Sequence, residues 1–349
     1  MITTVAYRFA EGFDVDMIEQ VSYAPVGEYI KDHCLFFDRG LWHLFSISGQ
    51  IGHSWMDKGS EERISHSLSY DLIHWEMLGH PVRASGKTGY YDEHMAVAPF
   101  VIQKPNGQFC MFYSGWQHPN KQPHFNFEGH QQSIYMAVSD NLYEWKIPDE
   151  IAPKGIIVDG DDTIVGRDPH VIWDEIENRW LLYYTTQENL NDNIYNFIVG
   201  VAESSDLVRW RKLGRALNWN GDKKVFNPCE SPFVLKHPYS GKFILFLNWD
   251  YSISDDPVKF FKIQRLPFPC GIDYHAGSVR DSGKGWSSVG VGFAREVIKH
   301  EGKNYLSGVM GYDGHTKLGF TCFMWTEDFL ILQPNLSERN MDDVSRKNE

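Results

Sequence analysis

Gly166-Arg167-Asp168-Pro169-His170-Val171-Ile172-Trp173 is followed by the turn Asp174-Glu175-Ile176-Glu177-Asn178-Arg179 and by the return Trp180-Leu181-Leu182-Tyr183-Tyr184-Thr185-Thr186. After a polar insertion the chain continues Phe197-Ile198-Val199-Gly200-Val201-Ala202 and closes on Ser204-Ser205-Asp206-Leu207-Val208-Arg209-Trp210. Each run is rich in β-branched and aromatic residues and is bounded by turn-forming ones, the signature of successive β-strands. The last tryptophan is suited to packing against a neighbouring unit.

The unit recurs. Trp75, Trp145 and Trp210 lie 70 and 65 residues apart, each at the end of a segment of the Ser-x-Asp-Leu kind, Ser-Asp-Asn-Leu in the second. Inner-strand pairs precede them: Cys34–Phe37 with Leu41–Phe45, then Ala98–Ile102 with Phe109–Tyr113. Two further units follow, opening with Ser231–Leu235 and Arg295–Ile298, the fourth with later strands expected at 260–263 and 272–274. Repeats of this size, each of short strands, predict an all-β, five-bladed β-propeller forming a single domain over residues 1–336. A β-sandwich does not account for a repeat. The strand Thr3–Tyr7 is expected to close the last blade, and residues 337–349 form a polar tail with the composition of disorder.

The 349 residues are 42% hydrophobic and 15% aromatic, ample for a core and for ring-stacking surfaces. A net charge of −13, with no basic cluster, argues against nucleic acid and anionic membrane as partners. The five cysteines show no Cys-x-x-Cys spacing, which favours buried thiols in a reducing compartment. The N-terminal residues lack the pattern of a signal peptide, so a cytoplasmic location is the expectation.

Several segments resemble the five-bladed propeller glycoside hydrolases, the superfamily of families 32, 43, 68 and 117. Gly52-His53 with Ser69–Trp75 looks like the close of the first blade in the fructosidase-like families, and Arg167-Asp168-Pro169 is similar to their Arg-Asp-Pro motif. Glu230-Ser231-Pro232 looks like the Glu-x-Pro segment that carries the acid, with Cys229 before the glutamate rather than after it. Asp32 sits where the first-blade aspartate sits, in Lys31-Asp32-His33-Cys34 instead of the usual Asn-Asp-Pro-Asn-Gly. The resemblance implies a small-molecule carbohydrate substrate and a glycosidase, fructofuranosidase-like in the first instance. An inverting family-43-type arabinofuranosidase or xylosidase is the alternative, as is a sugar-binding or glycosyl-transferring propeller.

Glycoside hydrolysis needs a carboxylic acid to protonate the leaving oxygen and a carboxylate across the sugar ring. Asp32, Asp168 and Glu230 each precede the first strand of a unit, and Asp32-to-Asp38 repeats the spacing of Asp168-to-Asp174. Repeat register alone would select Ser231; the resemblance selects Glu230. Asp32 is assigned as nucleophile or general base, Glu230 as general acid, and Asp168 as transition-state stabiliser that tunes the others. A single aspartate before a strand reads as a turn or cap; three at matching positions read as a site. His33, Arg167, Trp116 and His94 are candidate substrate-binding residues, against a structural histidine, a surface ion pair, a core ring and, for Asp92-Glu93-His94, an exposed turn. No cofactor is expected, and the spacing of the 15 histidines shows no metalloprotease pair. Some family-43 propellers hold a channel cation such as calcium, for which His275 is the candidate here.

Overall fold

The computed structural model describes residues 18, 21–55, 57, 59–117, 131–159, 166–189, 195–217, 229–248, 250–262, 264–265, 293–311, 314–327 and 329–332. These residues form five sheets of three to five strands and no α-helix. The first joins β1 (Glu28–Asp38), β2 (Leu41–Gln50), β3 (Arg63–Ser69) and β4 (Glu76–Arg83) in sequence order. The second joins β5 (Met95–Gln103), β6 (Phe109–Gln117) and β7 (Gln131–Ser139). The third runs β9 (Gly166–Asp174), β10 (Arg179–Asn189), β11 (Tyr195–Ser204), β12 (Arg209–Leu217), with β8 (Ile157–Asp159) parallel to β12 at its edge. β13 (Phe233–Lys236), β14 (Phe243–Phe246), β15 (Asp250–Ser254) and β16 (Gln264–Arg265) make the fourth. β17 (Phe293–His300), β18 (Lys303–Met310), β19 (Lys317–Trp325) and β20 (Leu330–Leu332) make the fifth.

The expected hairpins lie where the turn residues placed them. Asp38 and Asp174, the residues whose spacing repeats, are the last residues of β1 and β9. Arg39 and Gly40 both take positive φ, the twist that a two-residue hairpin requires. The Ser-x-Asp-Leu segments repeat in atomic detail. Ser139 and Ser204 accept the N–H of Asn141 and Asp206, and Asn141 and Asp206 accept the N–H groups that follow, as Asp71 does in the first unit. Leu72, Leu142 and Leu207 turn left-handed at φ 62, 68 and 67°, and the indole N–H of Trp75, Trp145 and Trp210 donates to their carbonyls at 3.0 Å.

Trp75 and Trp210 do not end their units, as the sequence suggested. In the first and third sheets a further strand follows or includes them: β4 begins immediately after Trp75, and β12 contains Trp210. In the fourth unit the third strand is β15, ahead of the expected 260–263, and Phe260 bridges instead to Leu217 of the third sheet. The apolar content of Tyr251 and Ile253 is modest and broken by serines, which hid the strand. Residues 272–274 and the expected strand Thr3–Tyr7 lie outside the described residues. The early chain does meet the fifth sheet, through a two-way backbone pairing of Tyr23 with Leu318 of β19.

Each sheet packs face to face on its neighbours. Trp210 meets Phe112 of the second sheet edge-on, Trp145 meets Phe45 of the first, and Trp75 stacks on Tyr23. One buried cluster joins the first three sheets; others join the third with the fourth, the fourth with the fifth, and the fifth with the first. The contacts therefore close on themselves, and the first strand of every sheet faces inward.

Those inner strands break register at one equivalent step. Shifts occur at Lys31/His33 in β1, Val97/Phe100 in β5, opposite Asp168 and Pro169 in β9, and Phe293/Glu296 in β17. Ala98, Asp168, Ser231 and Ala294 occupy the left-handed region there, at φ 50 to 54°. Such bulges twist a strand and re-aim a side chain. The five steps (Asp32-His33, Ala98-Pro99, Asp168-Pro169, Ser231-Pro232 and Ala294-Arg295) line one open pocket of about 350 Å³.

Candidate active site

The carboxylates selected from sequence form one bonded network. Ser231 Oγ donates to Asp32 Oδ1 at 3.1 Å, and the Ser231 N–H donates to Asp168 Oδ2 at 3.2 Å. Asp168 Oδ2 also accepts from Thr185 Oγ1 at 2.8 Å, while the Asp168 N–H donates to Ser114 Oγ at 2.9 Å. Its left-handed backbone is one that aspartate tolerates better than most residues. Glu230 stands one residue outside the lining step, its side chain 22% exposed. Arg167 Nη2 donates to Glu230 Oε1, and Arg167 Nε lies 3.4 Å from Asp168 Oδ2. Asn248 Nδ2 reaches Glu230 Oε2 at 3.4 Å.

Arg167 thus pairs with Glu230 and Asp168, and Ser231 ties Asp32 to them. Burial raises the Asp32 carboxyl most, the Asp168 charge adds to it, and together they outweigh the Ser231 hydrogen bond, carrying it from 3.8 to about 7. Glu230 is also raised, by burial first and by Asp168 third, with Arg167 between them pulling it down. Arg167 is held charged more firmly than usual: burial works against it, and Glu230, Asp168 and Asp32 outweigh that.

Arg167 is not a surface ion pair; its side chain is only 14% exposed and it joins two of the three acids. His33 lines the pocket but is buried, its Nε2 2.8 Å from Ser307 Oγ, and burial drops it to about 3, so it is a neutral imidazole. Trp116 is half-buried and stacks on Trp55 at a centroid distance of 5.7 Å, away from the five lining steps. His94 is at the same end of β5, with its ring 3.8 Å from Glu93 and its N–H bonded to the Trp116 carbonyl. Neither is among the residues that line the pocket. Asp92, read as part of an exposed turn, is buried and accepts from Tyr113 at 3.5 Å while its N–H meets Tyr135 Oη. His275 lies outside the described residues, and among those described no group of three or more His, Cys, Asp or Glu is arranged to hold a metal ion.

Three residues around the candidate site escaped the sequence. Ser114 and Thr185 sit on the second strands β6 and β10 and carry no motif. Glu296 was within reach, since it repeats the lining position of His170 in the fifth unit, as Ser231, which the repeat register selects, repeats that of Asp168 in the fourth. Glu296 accepts the Leu35 N–H at 2.8 Å and is raised by burial to about 8.

Compared with known proteins, residues 25–259 match the N-terminal domain of glycosyl hydrolases family 32. The chain belongs to that family. The family-32 domain here is 25% identical over 247 residues to the invertase of Schizosaccharomyces pombe, covering 66% of this chain and 38% of that protein. It spans well under half the length of that curated relative. A Bombyx mori GH32 β-fructofuranosidase superposes with a TM-score of 0.64 at 17% identity, over 90% of this chain and 64% of that one. A thermostable family-43 glycoside hydrolase gives a TM-score of 0.62 at 17% identity, over 88% of this chain and 93% of that one. At these identities the structures establish the fold.

Proposed function

We propose that this family-32 chain is a glycoside hydrolase that cleaves a fructofuranoside bond. The observation that carries the reading is the single network in which Ser231 and Arg167 bind Asp32, Asp168 and Glu230 together. A sugar-binding propeller without chemistry has no need of three acids around one cation. The relatives favour the same substrate class: the S. pombe protein is an invertase, and a mutant of the Bombyx mori β-fructofuranosidase has been seen in complex with sucrose. In this reading Glu230 protonates the glycosidic oxygen and Asp32 supports the anomeric carbon from the other face, while Asp168 and Arg167 hold the furanose hydroxyls and steady the developing positive charge. Arg167 must leave Glu230 for the sugar before Glu230 can carry the acid proton.

The architecture proposed is a five-bladed β-propeller in a single domain over residues 1–336. It is supported by the five inward-facing strands and by cores that link the sheets in a closed order. Cys34, Cys110, Cys229 and Cys322 are buried thiols, which supports a cytoplasmic setting. The second reading, a family-43-type arabinofuranosidase or xylosidase, rests on the near-equal likeness to the family-43 fold. Incubation with sucrose, aryl fructofuranosides, arabinofuranosides and xylosides, with chromatography of the products, decides among these. Free fructose supports the proposal. Arabinose or xylose moves the chain to the second reading, and oligosaccharide products without net hydrolysis identify transfer. No product from any substrate sinks the fructofuranosidase reading.

A further inference from the structure

We propose that Ser231 is a positioning residue for the reaction, its hydroxyl fixing the Asp32 carboxylate while its backbone N–H fixes Asp168 beside it. This rests on the hydrolase reading above. Of the four left-handed lining positions, Ala98 and Ala294 carry no polar atom on the side chain and Asp168 carries an acid. Ser231 alone among them offers a hydroxyl donor, and it spends that donor on Asp32 at 3.1 Å. It does so at φ 52°, a conformation unfavourable for any side chain but glycine, asparagine or aspartate. A glycine would relax the backbone there but could not supply the hydroxyl.

The charges around Asp32 make that donor matter. Asp168 and Arg167 face it from β9, and Glu230 from the approach to β13. Glu61, itself paired with Lys31 at 2.9 Å, faces it from the loop before β3. Glu296, Arg295 and His170 share the pocket from β17 and β9, with His33 beside it on β1. Three of these acids and the burial of the site disfavour an ionised Asp32, and the hydroxyl of Ser231 opposes them. A carboxylate that is to act as nucleophile or base must be ionised when the sugar arrives, so this hydrogen bond sets the lower pH limit of the reaction.

The test is a carbon-13 NMR titration of the Asp32 carboxyl, assigned by its loss in Asp32→Asn, in the wild type, Ser231→Ala, Ser231→Gly and Ser231→Cys. Both Ala and Gly should raise the Asp32 midpoint by about one pH unit, a tenfold change in the protonation equilibrium. Cysteine, a weaker donor, should fall between them and the wild type. The acid limb of kcat/KM for fructose release should move by the same amount, with the effect in kcat rather than KM. Glycine separates the causes, because it removes the hydroxyl and also the backbone strain. An unmoved midpoint in both Ala and Gly would overturn the proposal, as would a shift in Ala that Gly abolishes. The titration needs no turnover, so a wild type that hydrolyses nothing refutes the hydrolase reading and is told apart from a failure of the Ser231 hydrogen bond.

Discussion

Asp32→Asn should make the protein more stable while abolishing its activity, and the gain should depend on pH in a defined way. The folded state holds the Asp32 carboxyl at about 7, against 3.8 for the free side chain. A group raised on folding binds its proton more tightly in the native state, so its contribution to stability is full below the unfolded value and disappears as pH rises through the folded one. At about 1.36 kcal/mol per unit, the roughly three-unit shift corresponds to about 4 kcal/mol, an upper figure for a carboxyl that opens on a pocket. Asparagine has nearly the same shape, its amide oxygen can accept the Ser231 hydroxyl, and it never ionises. The stability difference between variant and wild type should therefore be near its lowest at pH 4, grow between pH 4 and 7, and level off above. Urea unfolding at pH 4.5, 6 and 8 measures this directly. A difference that is the same at all three pH values, or a variant less stable than wild type at pH 8, would refute the electrostatic description of the site.

Arg167→Met leaves Asp168 and Glu230 without their cation; it should cost about 3–5 kcal/mol at pH 7.5 and clearly less at pH 5, where Asp32 has taken up its proton and the cluster carries less negative charge. Equal loss at the two pH values in urea unfolding would contradict the charge network. Trp210→Ala should destabilise by about 3–5 kcal/mol, and Trp210→Phe by less, since it keeps the ring contact with Phe112 and loses the bond to the Leu207 carbonyl. Thermal unfolding of the pair checks the order. Arg39→Gly, in an exposed turn at φ 47°, should stabilise by about 1 kcal/mol, because glycine accepts that conformation without a steric cost. A lower unfolding midpoint in that variant would show that Arg39 makes a contribution beyond its turn.

Much of the architecture was legible because it is repeated. The segment ending in Trp75, Trp145 and Trp210 folds the same way three times, so its spacing carried real information about the sheets. What the repeat could not show was the strand at and after Trp75 and Trp210: residues 76–83 and 211–217 mix charged, glycine and apolar residues, without a regular apolar alternation. β15 was missed because the buried part of Asp250–Ser254 includes an aspartate and a serine. At the site, Asp168 and Arg167 were visible in one motif and Asp32 in its repeat. Glu230 required the family likeness, because the repeat itself points to Ser231. Both indications prove informative, since Ser231 occupies the repeated position and bonds the two aspartates while Glu230 next to it meets Arg167. Trp116 and His94, expected to touch substrate, lie together at one end of β5 and β6, where Trp116 stacks on Trp55 and the His94 N–H bonds the Trp116 carbonyl.

The most direct measurement is the rate of fructose release from sucrose by the wild type, Glu230→Gln and Asp32→Asn, with sucrose binding measured calorimetrically on all three. The expected result is release by the wild type that falls by about two or more orders of magnitude in each variant, with sucrose still bound by both. Release that survives either substitution, or a wild type that binds sucrose and never cleaves it, would contradict a hydrolase built on these carboxylates.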